Sequence, residues 1–168
     1  MRHLVLIGLP GVGKSTVAAL LAERWATKAI DTDAIVAAAV GMSAAQFLRD
    51  EGEKSFRARE LEALTAVLAD EHDSVIATGG GIVSTPQARA VLAEEFVLWL
   101  DCDDDVILAR LGDVERPLLA EDPSASLARL RAERESWYRE VSHARIETAT
   151  SLEDVVAQIT REVDRLTR

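Results

Sequence analysis

Eight consecutive residues, Gly8-Leu9-Pro10-Gly11-Val12-Gly13-Lys14-Ser15, set three glycines, a lysine and a hydroxyl at the spacing Gly, four residues, Gly-Lys-Ser. Those residue types in that order suit a polyanion. Glycines let the backbone wrap closely round phosphate oxygens with its amides turned inward. A helix that begins at such a loop adds partial positive charge from its first turn. Lys14 is then placed to reach the β- and γ-phosphates of a nucleotide, and Ser15 to ligate Mg²⁺. The plain alternative is a glycine-rich turn. The flanks argue against it: the apolar run His3–Ile7 reads as a buried strand, and Val17, Leu20, Leu21 and Trp25 recur at helical spacing.

Two further stretches carry chemistry. Asp31-Thr32-Asp33 sets two carboxylates on alternate positions of an extended segment, so one can face Mg²⁺ and its waters while the other faces an acceptor hydroxyl. A cap for the following helix, from one of the two aspartates or from Thr32, is the structural reading of the same residues. Gly79-Gly80-Gly81 costs backbone entropy and implies close approach of a ligand to the main chain, with a flexible turn as the alternative. Four arginines, Arg57, Arg110, Arg116 and Arg134, are candidates for anion contacts.

The elements that must hold these groups read as alternating strands and helices. Strands are expected at Lys28–Asp31, Ser74–Ala77, Phe96–Leu100 and Ala144–Thr148 in addition to the first. Helices are expected over Thr32–Val40, Ser43–Asp50, Glu53–Ala69, Pro86–Ala93 and Ser124–Arg139. Asp103, Asp104 and Asp105 stand where a helix begins, as caps and dipole partners rather than metal ligands. Ser151-Leu152-Glu153-Asp154 resembles a capping box opening a last helix that buries Leu152, Val155, Val156, Ile159, Val163 and Leu166. Leu111–Pro123, long and with two prolines, reads as a loop that works as a lid. The alternation predicts a three-layer α/β/α architecture around a five-stranded parallel sheet, with ligands at the carboxyl ends of the strands.

Composition narrows the partners. A net charge of −10 over 168 residues argues against nucleic acid or an anionic membrane as partner. No stretch is long and apolar enough to span a membrane, and cytoplasmic location follows as the default. Cys102 is the only cysteine, so no internal disulfide forms, and it reads as a small core residue. The three histidines are scattered, without metal-ligand spacing.

In order along the chain, the glycine loop with Thr16, Asp31-Thr32-Asp33, Phe47, Gly52-Glu53-x-x-Phe56-Arg57-x-x-Glu60, Gly79-Gly80-Gly81, Arg116-Pro117-Leu118-Leu119 and Arg134-x-x-x-Tyr138 resemble the shikimate kinases. The glycine loop is shared by many kinases; the ordered set is specific. The resemblance covers nearly the whole chain. It implies one P-loop kinase domain over 1–168, with a helical substrate-binding region at about 32–61 and a lid at about 111–123. It also implies transfer of the γ-phosphoryl group of ATP to the 3-hydroxyl of shikimate, by a monomer using Mg²⁺. On the same resemblance, Gly11, Val12, Gly13, Lys14, Ser15, Thr16, Arg110 and Arg116 bind ATP. Asp33 holds the ring hydroxyls as candidate base, Arg57 and Arg134 hold the substrate carboxylate, and Gly79, Gly80 and Gly81 border it. Ser15, and Asp31 through water, match the Mg²⁺ shell, and Lys14, Asp33 and Arg116 match the catalytic set. Ala149-Thr150-Ser151 stands where relatives contact the nucleobase.

Two departures stand out. Ala34–Ala39 lacks an acidic residue common there, and Leu111–Glu115 is about one residue short. The rival readings are a gluconate kinase-like enzyme and, from another class, a GTP-binding switch. Asp-Thr-Asp and Arg-Pro-Leu-Leu weigh against the first. The second needs Asn-Lys-x-Asp, and the chain has no asparagine.

Overall fold

β1 (His3–Ile7) is buried at every position, as expected of a strand covered on both faces. The structure is a computed structural model describing residues 2–111 and 122–167. β1 pairs in parallel with β3 (Ser74–Ala77) on one side and β4 (Phe96–Asp101) on the other. β2 (Lys28–Asp31) pairs with β3, and β5 (Ala144–Glu147) with β4, giving the order β2-β3-β1-β4-β5, all parallel. The chain leaves β1 for the β2 edge and later returns to β1's other side. The crevice above the strand ends therefore opens beside β1, at the point where the order reverses.

Helices cover both faces. α1 (Lys14–Arg24) and α7 (Leu152–Leu166) pack together on one side. α3 (Ala44–Leu68), α4 (Pro86–Leu92) and α6 (Pro123–Val141) form the other, with α5 (Asp104–Leu111) against α6. α2 (Thr32–Val40) packs on α3 through a small separate core of Val36, Phe56 and Ala63, against which Phe47 and Leu48 lie.

The helices expected at Ser43–Asp50 and Glu53–Ala69 run as one trace, broken in geometry at Gly52 (φ 80°, ψ 168°). Only glycine takes that conformation without strain, so the break belongs to the sequence. The capping box is present: Ser151 Oγ accepts from Asp154 N and donates to Asp154 Oδ2. Leu152, expected on the buried face of α7, is instead 46% exposed, because the N-terminus of that helix borders the cavity rather than the core. Cys102 is buried as expected. Asp104 and Asp105 stand in the first turn of α5, where the helix dipole favours them.

Candidate active site

A cavity of about 830 Å³ lies above the carboxyl ends of the strands. Every predicted site residue within the described residues lines it. Arg116 and most of the expected lid lie outside the described residues.

At one end sits the glycine loop. Gly11 and Gly13 take φ of 88° and 100°, which places them in the region that side-chain-bearing residues avoid. Gly13 is also the N-cap of α1 and offers no side chain to it, so the first-turn amides are left for an anion. Lys14, 8% exposed, donates from Nζ to the carbonyls of Gly8 (2.8 Å) and Leu9 (2.9 Å), which holds the ammonium across the loop. Ser15 Oγ donates to Asp31 Oδ2 at 2.6 Å. Asp31 Oδ1 accepts from Asp33 N (2.9 Å) and Ala34 N (3.3 Å).

The helix cap at this corner is therefore Asp31, not Thr32 or Asp33. The extended alternation expected for Asp31 and Asp33 is not there either, because Thr32 already begins α2. The two carboxylates still diverge, since one ends a strand and the other sits in a helical turn. Thr32 is buried, and its Oγ1 accepts from Gly79 N at 3.3 Å, tying α2 to the glycine triplet.

A serine hydroxyl and a carboxylate side by side at the loop are hard oxygen ligands of the kind Mg²⁺ takes alongside phosphate oxygens. Among the described residues no cluster of three or more His, Cys, Asp or Glu could hold a metal by itself.

The other end is built from side chains. Arg57 Nη1 donates to Glu60 Oε2 at 2.5 Å, and Nη2 to Glu53 Oε1 at 3.0 Å. Burial works against the Arg57 charge, and Glu60 and Glu53 more than offset it. Burial pushes the Glu60 carboxyl up to about 7, with Arg57 pulling it back and Asp33 adding to the rise. Glu60 is 0% exposed, and its Oε1 has no hydrogen-bond partner among the described residues. Arg134 Nη1 donates to the Gly80 carbonyl at 3.0 Å, and the Tyr138 hydroxyl donates to the same oxygen. Burial pushes that phenol up to about 12, so it keeps its proton as the donor.

The glycine triplet lines the cavity, and the neighbouring side chains give a second reason for it. A Cβ at Gly79 would overlap Glu60 Oε1 and crowd Asp33 Oδ1; one at Gly81 would overlap the Arg57 guanidinium; one at Gly80 would press on Pro10. The glycines admit the site's own side chains. Glu60 was missed as a site residue. Its signal was its place three residues after Arg57, which on a helix sets the two side chains together.

Arg110 reaches from α5 to the glycine loop and to Thr148. Its guanidinium donates to Val12 O (3.3 Å), to Thr148 Oγ1 (3.3 Å) and to the Thr148 carbonyl. Leu152, Val155 and Thr150 line the cavity close by. Thr150 is thus the one residue of Ala149-Thr150-Ser151 on the cavity wall.

A parallel α/β sheet with a lysine-bearing phosphate loop at its switch point, facing arginines and a carboxylate across a cavity, defines a P-loop phosphotransferase for small molecules. A family model described as shikimate kinase matches residues 10–164, and the chain belongs to the shikimate kinase family. The chain is 42% identical to the shikimate kinase of Symbiobacterium thermophilum, over 94% of this chain and 93% of that protein. It is 40% identical to the shikimate kinase of Streptomyces coelicolor, over 92% and 91%. In structure it resembles the Acinetobacter baumannii shikimate kinase in complex with shikimate (TM-score 0.92, 31% identity, 97% and 93% covered). A gluconokinase from Sinorhizobium meliloti shares the fold alone (TM-score 0.66, 22% identity, 98% and 92% covered). Among the described residues no helix is long and apolar enough to cross a membrane.

Proposed function

We propose that the chain transfers the γ-phosphoryl group of ATP to the 3-hydroxyl of shikimate, giving shikimate 3-phosphate and ADP. The observation that carries this reading is the cavity itself, with the Lys14 loop at one end and Arg57, Arg134 and Asp33 at the other. Membership of the shikimate kinase family supports it.

The loop amides and Lys14 offset charge on the transferring phosphoryl group. Arg57 and Arg134 grip the substrate carboxylate, for which a planar guanidinium is shaped and an ammonium is not. Their partners Glu60 and the Gly80 carbonyl fix the forks before substrate arrives. Asp33 orients the acceptor hydroxyl and takes its proton. Ser15 and Asp31 would hold Mg²⁺, which when bound neutralises phosphate charge. Arg110 packs against the nucleobase. Arg116 is assigned to the phosphates, and α2 with the first part of α3 forms the acceptor-binding region at about 32–61. The enzyme is proposed to act as a monomer in the cytoplasm.

The test is a coupled assay with ATP and Mg²⁺, offering shikimate, quinate and gluconate side by side. Turnover with shikimate alone is the expected outcome. Turnover with gluconate and none with shikimate would overturn the reading.

A further inference from the structure

Arg131 does not line the cavity, yet all three of its guanidinium nitrogens are held. Nε donates to Asp104 Oδ1 (2.7 Å), Nη1 to Asp101 Oδ1 (2.8 Å) and Nη2 to the Cys102 carbonyl (2.6 Å). These acceptors lie at the carboxyl end of β4, in the link after it and in the first turn of α5. Asp101, its side chain 2% exposed, is also gripped from β5 by Arg145 at 2.8 Å. Two carboxylates and two guanidiniums thus close into one neutral cluster. An isolated exposed pair stabilises little, whereas a forked network on a buried hub fixes geometry.

The cluster is linked to both halves of the site. Three residues along α6 from Arg131, about one turn, stands Arg134 on the Gly80 carbonyl. The main-chain carbonyl of Asp101 accepts from Thr148 N (2.8 Å) and Oγ1 (3.2 Å), and Thr148 in turn accepts from Arg110. The nucleotide arm therefore has its own support, through Val12 and Thr148, whereas the first turns of α6 depend on Arg131 for their only ion pairs to β4 and α5 among the described residues.

We infer that Arg131 is a positioning residue for phosphoryl transfer: by pinning α6 to β4 and α5 it sets Arg134 at the acceptor end of the cavity. The inference rests on the proposed role of Arg134. A guanidinium displaced by about 1 Å loses much of its value in orienting a substrate, up to roughly a hundredfold in rate. Leu127, Leu130 and Tyr138 keep α6 in the core without Arg131, so its loss shifts the helix rather than unfolding it.

The experiment compares Arg131→Met, Arg131→Lys, Asp104→Asn and Arg134→Ala, purified as the full chain. KM for shikimate and for ATP are measured separately, together with melting curves. Arg131→Met should raise the shikimate KM about tenfold, with kcat within about threefold and the ATP KM within about twofold. Arg131→Lys should recover part of the loss, and Asp104→Asn should show the same split more weakly. Should Arg131→Met fail to fold, Asp104→Asn decides by that split. Equal rises in both KM values, or a lowered melting temperature with both KM values unchanged, overturn the inference and leave the cluster as a staple of the fold. An unchanged shikimate KM in Arg134→Ala overturns the reading of Arg134 and this inference with it. A raised KM there without the split in Arg131→Met and Asp104→Asn overturns this inference alone.

Discussion

At the phosphate end of the cavity, most of the groups that face it come from one unbroken run, Pro10 to Val17, and backbone conformation aims them. At the acceptor end, Asp33, Arg57, Glu60 and Arg134 come from three helices, and ion pairs and hydrogen bonds aim them. The first kind of site needs glycines at special φ and one lysine. The second needs each charge to have a buried partner, because an uncompensated charge there is costly. The two ends should therefore fail differently. Damage to the loop should remove chemistry and spare the fold, while damage to the acceptor end should cost affinity and stability together.

The largest effect is expected from Lys14→Ala. Its Nζ bridges two loop carbonyls, which water can satisfy after truncation, so the melting temperature should change little. Turnover should fall at least about a thousandfold, since the lost charge acts on phosphate in the transition state. A folded variant with near-normal turnover would break the comparison at its first term.

Arg57→Ala should show the opposite pattern. Shikimate binding should weaken by about 2–4 kcal/mol while ATP affinity without shikimate stays close to wild type. Glu60 loses the partner that offsets its burial, so stability should drop as well. The double variant Arg57→Ala/Glu60→Gln should recover part of the stability and none of the binding, which separates the two roles of the arginine. Binding isotherms and melting curves on the same preparations make the measurement. Recovery of binding in the double variant would sink the assignment of Arg57 to the substrate carboxylate.

The same contrast explains what could be read from the chain before its fold. The loop was legible because its function is local: strand, glycines, lysine and helix follow one another within the first 24 residues. The alternation of strands and helices was legible because fully buried strands such as Val97–Leu100 carry unbroken apolar runs. The acceptor end was legible only as a resemblance. No spacing rule brings Arg134 to Gly80, 54 residues earlier in the chain. Glu60 escaped because a glutamate near an arginine on a helix is usually a solvated pair; only its burial shows otherwise. Leu152 was misjudged because periodicity marks which positions share a face and is silent on whether core or cavity meets the helix end. The steric part of the Gly79–Gly81 triplet was not legible, because the side chains that crowd it, from Glu60 and Arg57, are distant in sequence.

The smallest expected effect sharpens the comparison through pH. Glu60 belongs to the acceptor end. Its carboxyl is raised from an ordinary 4.5 to about 7, mainly by burial. A group raised on folding binds its proton more tightly in the folded state. The stability it contributes is complete below about pH 4.5 and is lost as pH rises through about 7. Glu60→Gln cannot titrate. It also deprives Arg57 of a charged partner, so its stability should differ from wild type at every pH. The informative quantity is how that difference changes with pH. Between pH 5.5 and 7.5 wild type should lose about 2 kcal/mol relative to the variant, roughly 4–8 °C in melting temperature for a chain of this size. Lys14→Ala, carried through the same series, should keep the wild-type slope, since its site is at the other end of the cavity. A difference between wild type and Glu60→Gln that stays flat across this range would mean that Glu60 is ionised throughout. Arg57 would then hold a full charge pair, and the acceptor end would be electrostatically as fixed as the loop.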